Sequence, residues 1–167
     1  MRAVILGVAL TLAAQSVFAQ QTPTADASAR TMVTAADVKA MIAKAKADRK
    51  DNQPILAQSM IQLAPYNVSL EYRGAVGNAA IHDREAEMFY VVEGSATLVT
   101  GGKLKDEKRT NAENSSGTGI DGGVSRHVAP GDFIMVPEGT PHWFSAIDGT
   151  VVLMSLHLPR PAATATK

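Results

Sequence analysis

Two periodicities divide this chain. Between Thr34 and Lys50, the residues Val38, Met41, Ile42 and Ala45 recur at i, i+3, i+4 and i+7, the spacing of one apolar stripe on a helix. Thr34 stands ahead of that stripe with a hydroxyl suited to capping, and Asp37 completes a capping-box pattern with Asp in place of Glu. Lys39, Lys44, Lys46, Arg49 and Lys50 surround the stripe and gather toward its C-terminal end, where positive charge suits the helix dipole. The pattern predicts a short packing helix over 34–50 with a solvated basic face.

From Pro54 the period shortens. Residues 55–63, 67–73, 88–92, 96–100, 124–128, 133–136, 142–147 and 151–158 read as short strands. Turn signals separate them: Gly74 and Gly77, Glu93-Gly94, Gly101-Gly102, Pro130-Gly131, Pro137 with Gly139, and Asp148-Gly149. Many short strands with no helix between them predict an all-β barrel, jelly roll or sandwich spanning 54–158, preceded by one short N-terminal α-helix. Residues 103–123 are charged at first and then rich in Asn, Ser and Gly, and they are expected to form a long functional or mobile loop. Residues 159–167 read as a frayed tail.

The first residues belong to a different pattern. Arg2, an apolar run over 3–14 and the small-residue ending Val17-Phe18-Ala19 match a secretory signal peptide over 1–19, cleaved after Ala19. Residues 20–33 then form a flexible leader. A periplasmic or secreted protein follows, without stable membrane insertion once the signal is removed.

Composition narrows the chemistry. Across 167 residues, 16 Lys and Arg balance 16 Asp and Glu, which gives no electrostatic footprint for nucleic acid. With no cysteine, disulfides, thiolate nucleophiles and Cys-ligated metals are excluded. Any metal must sit on His, carboxylate or backbone oxygen. There are four His.

Two segments concentrate the candidate chemistry. Residues 131–142 read as turn, strand, tight turn, strand, with Gly131 and Gly139 free to take positive φ and Pro137 fixing the second turn. His142 opens the next strand, so Phe144 and Ala146 share its face. The second segment, 74–94, carries His82 and Glu87. Glu85 and Glu87 lie on one strand face without a glycosidase-like partner, and read as a coincidence of the strand start.

These residues resemble the cupin superfamily, a group of small β-barrels or jelly rolls. Gly131, Pro137, Gly139 and His142 stand at the spacing of the second cupin motif, with Ala146 where Asn is usual. Gly74, His82, Glu87 and Gly94 stand at that of the first, with Ala80 where a further His is usual. The resemblance spans residues 74–146 and implies one divalent metal ion (Fe, Mn, Ni, Cu or Zn) held by His82, Glu87 and His142. Two His and one carboxylate leave open positions for substrate or dioxygen.

The resemblance implies a metal-dependent enzyme performing oxygenase, isomerase or lyase chemistry on a small organic molecule. The alternative is a non-enzymatic ligand-binding or sensing module whose metal site is weakened by Ala80. His157, alternating with Ser155, is a candidate proton carrier. Arg84 is a candidate at the barrel mouth, contacting an anionic substrate or pairing with Glu85 or Glu138. Phe89, Phe144 and Tyr72 are candidates for the pocket wall. His127 reads as an exposed or paired strand residue, and Tyr90, Phe133, Met135 and Trp143 as core or dimer packing. A homodimer is the family expectation.

Overall fold

The computed structural model describes residues 30–160. The expected signal peptide over 1–19, the expected leader before Arg30 and the tail beyond Arg160 lie outside the described residues. Among the described residues no helix is long and apolar enough to cross a membrane.

Helix α1 (Ala35–Asp48) starts where its cap was expected. Thr34 Oγ1 accepts the Asp37 amide at 3.1 Å, and Asp37 Oδ2 accepts the Thr34 amide at 2.9 Å, so both halves of the capping box form. Arg49 turns to extended backbone and ends the helix. The leader is not wholly detached, because the Arg30 carbonyl accepts the Gln62 amide at 3.0 Å.

The strands are β1 (Ile55–Leu63), β2 (Tyr66–Arg73), β3 (Ala79–His82), β4 (Glu85–Thr100), β5 (Lys103–Lys105), β6 (Lys108–Arg109), β7 (Asn114–Gly117), β8 (Gly119–Asp121), β9 (Val124–Val128), β10 (Phe133–Val136) and β11 (His142–Pro159). They run in the order β1-β2-β11-β3-β7-β6, while β4 pairs with β9, β10 and β11, and β5 with β8. The all-β barrel with one N-terminal helix is therefore the observed fold.

Two expected breaks are absent. The 88–92 and 96–100 strands merge into β4, and the 142–147 and 151–158 strands into β11. Gly94 bends rather than ends β4: its φ is +73°, and a Cβ there would meet the Thr150 carbonyl oxygen at 1.8 Å. The ladder between β4 and β11 absorbs the irregularity through register shifts at Phe144/Ala146 and Ile147/Val151. The first shift reverses the side-chain alternation, so Ala146 is exposed and does not share the interior face with His142 and Phe144.

The segment 103–123 is also not a structureless loop. It carries β5 to β8, and β7 pairs antiparallel with β3, placing His82 opposite Asn114. β3 itself is a strand that alternation in the sequence did not reveal.

The apolar residues form two main layers. Inside the barrel, Phe89, Val91, Leu98, Val136, Phe144, Val151 and Leu153 pack together. Outside it, Val38, Met41, Ile42 and Ala45 of α1 cover Met60, Leu70, Tyr72 and Val152. Sheet alternation assigns these faces: Val151 and Leu153 point inward, and Val152 points toward the helix. Phe133, Met135 and Tyr90 are exposed rather than core residues. Trp143 is half-buried, with its Nε1 donating to the Gly77 carbonyl at 2.9 Å.

Candidate metal centre

The interior face of β4 carries Glu87, that of β3 carries His82, and β11 supplies His142 near its start and His157 near its end. Glu87 Oε2 lies 3.3 Å from His82 Nε2 and 3.0 Å from His142 Nε2. Glu87 Oε1 lies 3.4 Å from His157 Nε2 and accepts the Ser155 hydroxyl at 2.6 Å. Glu87, His142 and Ser155 are buried.

The opposite nitrogen of each imidazole is committed. His82 Nδ1 donates to Asn114 Oδ1 at 2.6 Å, His142 Nδ1 to the Thr140 carbonyl at 3.2 Å, and His157 Nδ1 to Glu85 Oε2 at 2.9 Å. Asn114 Nδ2 in turn donates to Asn111 Oδ1 at 3.0 Å, which fixes its carbonyl oxygen toward His82. A carbonyl and a carboxylate can only accept, so Nδ1 carries the proton in all three rings. Each neutral ring then presents its Nε2 lone pair to the carboxylate. Acceptors at such distances need a cation between them, either a proton or a metal ion.

In the metal-free chain that cation is a proton, and the imidazoles donate to Glu87. Burial alone would raise the Glu87 pKa, but hydrogen bonds from His142, His82 and Ser155 and the His142 charge hold it far below the ordinary carboxylate range. Burial likewise disfavours a charged His82. Its hydrogen bonds to Glu87 and Asn114, with the Glu87 and Glu85 charges, outweigh that and raise its pKa.

The donor set fits a divalent ion. Two donors bound to one ion at about 2.1 Å stand about 3.0–3.4 Å apart in right-angle to tetrahedral geometry. The two shortest separations here, 3.0 and 3.3 Å, lie in that interval. Nitrogen and carboxylate donors without thiolate suit Fe, Mn, Ni, Cu or Zn.

A cavity of about 180 Å³ opens onto this cluster, and its lining includes the apolar Ile55 and Phe144 and the polar Glu71, Arg73 and Asn78. Arg73 Nε and Nη2 both donate to Glu71 Oε2, at 2.9 and 2.6 Å, and the guanidinium lies 4.5 Å from the Phe144 ring centroid. Ala80 lines the same cavity and is the ladder partner of His142.

The structure brings together His82, Glu87, His142, His157 and Phe144. Phe89 lies one layer below, fully buried, with its ring 6.0 Å from that of His142. Tyr72 is displaced from its expected place: it belongs to the layer under α1, because strand parity puts its neighbours Glu71 and Arg73 on the cavity side. Arg84 is largely exposed and faces Glu113 at 3.9 Å rather than forming an ion pair with Glu85 or Glu138. Glu138 is instead paired with Arg160, whose Nε donates to it at 2.8 Å. His127 is an exposed residue opposite Thr97.

Sequence reasoning did not single out Glu71, Arg73, Asn78 or Ser155, placed Asn114 only within the functional or mobile loop over 103–123, and read Glu85 as a coincidence of the strand start. For Glu71 and Arg73 the available signal was their shared parity, opposite to that of Leu70 and Tyr72. For Ser155 it was the two-residue step to His157.

The cupin family pattern matches residues 44–166 of this chain. The chain belongs to the cupin family. Among solved structures it is similar to KdgF from a Halomonas species, at 20% identity and a TM-score of 0.48 over 67% of this chain and 86% of that one. It is similar to a cupin superfamily protein from Desulfitobacterium hafniense, at 16% identity and a TM-score of 0.47 over 67% of this chain and 83% of that one. It also resembles Streptomyces Pac13 with uridine, at 16% identity and a TM-score of 0.46 over 70% of this chain and 78% of that one. No curated protein matches the chain.

Proposed function

We propose that this chain is an exported metal-dependent cupin enzyme that acts on a small organic molecule by oxygenase, isomerase or lyase chemistry. One divalent ion is held by His82, Glu87 and His142, whose donor atoms lie within 4.8 Å of one another. The observation that carries this reading is the convergence of two Nε2 atoms, each fixed by a committed Nδ1, on one oxygen of a buried carboxylate. When bound, the ion supplies Lewis-acid or redox chemistry.

The chain's own residues do the rest. Ser155 orients the Glu87 carboxylate, and Asn114 and the Thr140 carbonyl orient the rings of His82 and His142. Phe144 and Ile55 offer apolar lining to the cavity, and the Glu71–Arg73 pair offers polar contacts. Export rests on residues 1–19, and an N-terminus beginning at Gln20 in protein from the producing cell supports it, whereas an intact Met1 in exported protein opposes the cleavage.

The test is metal content after purification without chelator and after reconstitution with Fe, Mn, Ni, Cu and Zn in turn, for the parent protein and for His142→Ala. The expected result is one ion per parent chain and loss of binding in the variant. No stoichiometric metal under any condition would overturn the reading. A screen of small oxygenated compounds then separates enzyme from binding module: turnover supports the former, and thermal stabilisation by a compound without turnover the latter.

A further inference from the structure

The metal reading leaves one imidazole unexplained. His157 is 75 residues beyond His82, on the far end of β11. It shares with His82 and His142 an Nδ1 held by an acceptor and an Nε2 turned toward Glu87, but it faces Oε1 where they face Oε2. Its Nδ1 donates to an oxygen that can only accept, Glu85 Oε2 at 2.9 Å, and its Nε2 faces Glu87, at 3.4 Å from Oε1. Its ring lies 4.9 Å from that of His82 in an edge-on arrangement. Ala80, where a further imidazole is absent, lines the same cavity as His157.

We propose that His157 supplies the third imidazole of the metal site, replacing the ligand missing at Ala80, so that the ion is held by His82, His142, His157 and Glu87. The proposal rests on the metal reading above and specifies its donor set. Glu85 is a positioning residue here. It holds the ring from the Nδ1 side, as Asn114 holds His82 and the Thr140 carbonyl holds His142. Ser155 favours the same set, since it fixes the Glu87 oxygen that faces His157.

The competing arrangement is a second ion on His82, Glu85 and His157, whose donor atoms lie within 4.8 Å of one another, as those of His82, Glu87 and His142 do. It would require His82 or His157 to give up an Nδ1 hydrogen bond or to serve two ions through one nitrogen.

The test uses Cu²⁺ and Co²⁺ as probes on the parent chain, His157→Ala, His157→Gln and the double variant Ala80→His with His157→Ala. Nitrogen hyperfine structure in the Cu²⁺ electron paramagnetic resonance spectrum is expected to report three imidazoles in the parent and two in either single variant. Competition titration is expected to find affinity lowered at least about tenfold in the single variants and regained in the double variant. Thermal unfolding of the metal-free proteins establishes that each variant is folded, and the Gln variant serves if the Ala variant is not. An unchanged spectrum and affinity in a folded His157 variant would overturn the proposal while leaving the metal reading standing. Two ions per chain would overturn it in favour of the second site. No binding by the parent would overturn both.

Discussion

Asn114 Oδ1 sits 2.6 Å from His82 Nδ1, although the two residues are 32 positions apart and Asn114 belongs to the segment with the least strand-like sequence. The contact exists because β7 adds to the edge of β3 and places the two residues opposite each other. It makes a polar surface segment part of the site.

Replacing Asn114 with Ala removes the acceptor that fixes the His82 ring and tautomer. Metal affinity is expected to fall about 10- to 100-fold. Asn111→Ala is expected to have a smaller effect in the same direction, because it only frees the Asn114 amide to rotate. Competition titration with a chromophoric chelator measures both, and an affinity unchanged in Asn114→Ala contradicts the assignment.

Ser155→Ala deletes the hydroxyl that donates to Glu87 Oε1. A buried carboxylate oxygen then loses its donor, at a cost of about 1–3 kcal/mol to the metal-free fold. Urea unfolding in the presence of chelator gives the value. Bound metal should recover part of the loss, since it neutralises the same carboxylate.

The Glu71–Arg73 pair is nearly buried, with side chains 12% and 11% exposed. Arg73→Met strands Glu71 and is expected to destabilise the fold by about 3–5 kcal/mol. The double variant Glu71→Leu with Arg73→Met should be markedly more stable than Arg73→Met alone, because no orphaned charge remains. Equal stability of the single and double variants would show that Glu71 is solvated in the cavity.

The pH dependence of the metal-free protein follows from two opposite shifts. His82 has a pKa raised above its ordinary 6.5, so its contribution to stability is complete below 6.5 and is lost as pH rises through the folded value. Glu87 has a pKa depressed from 4.5, so its contribution is complete above 4.5 and is lost as pH falls through the folded value. Stability is therefore expected to peak between these limits, at about pH 5–6, and to fall on both sides. Metal affinity should instead rise with pH across the His82 titration, because binding expels its proton. Denaturant midpoints from pH 3 to about pH 9 with chelator, and titrations with metal, check the two signs.

Much of the site was legible in the residues. Gly131 and Gly139 take the positive φ that their turns required, at +94° and +66°. The resemblance of the segments around His82, Glu87 and His142 to the two cupin motifs nominated three donors. Alternation also placed Phe144 with His142. The same rule failed for Ala146, because a register shift changes parity without leaving a mark in the sequence.

The sequence by itself determined the helix with its cap, the strand period, the turns at Gly131 and Gly139 and the family motifs, since each depends on residues a few positions apart. Only the tertiary structure decided which strand face meets the cavity. In β2 the apolar residues Leu70 and Tyr72 turn outward because α1 covers them, and the charged residues Glu71 and Arg73 turn inward to line the cavity. Alternation separates two faces but does not say which is covered by what. The tertiary structure also decided that His157, Glu85, Ser155 and Asn114 surround Glu87 and its partners. Their positions depend on the register of β4 against β11 and of β3 against β7, pairings between distant parts of the chain that no local pattern encodes.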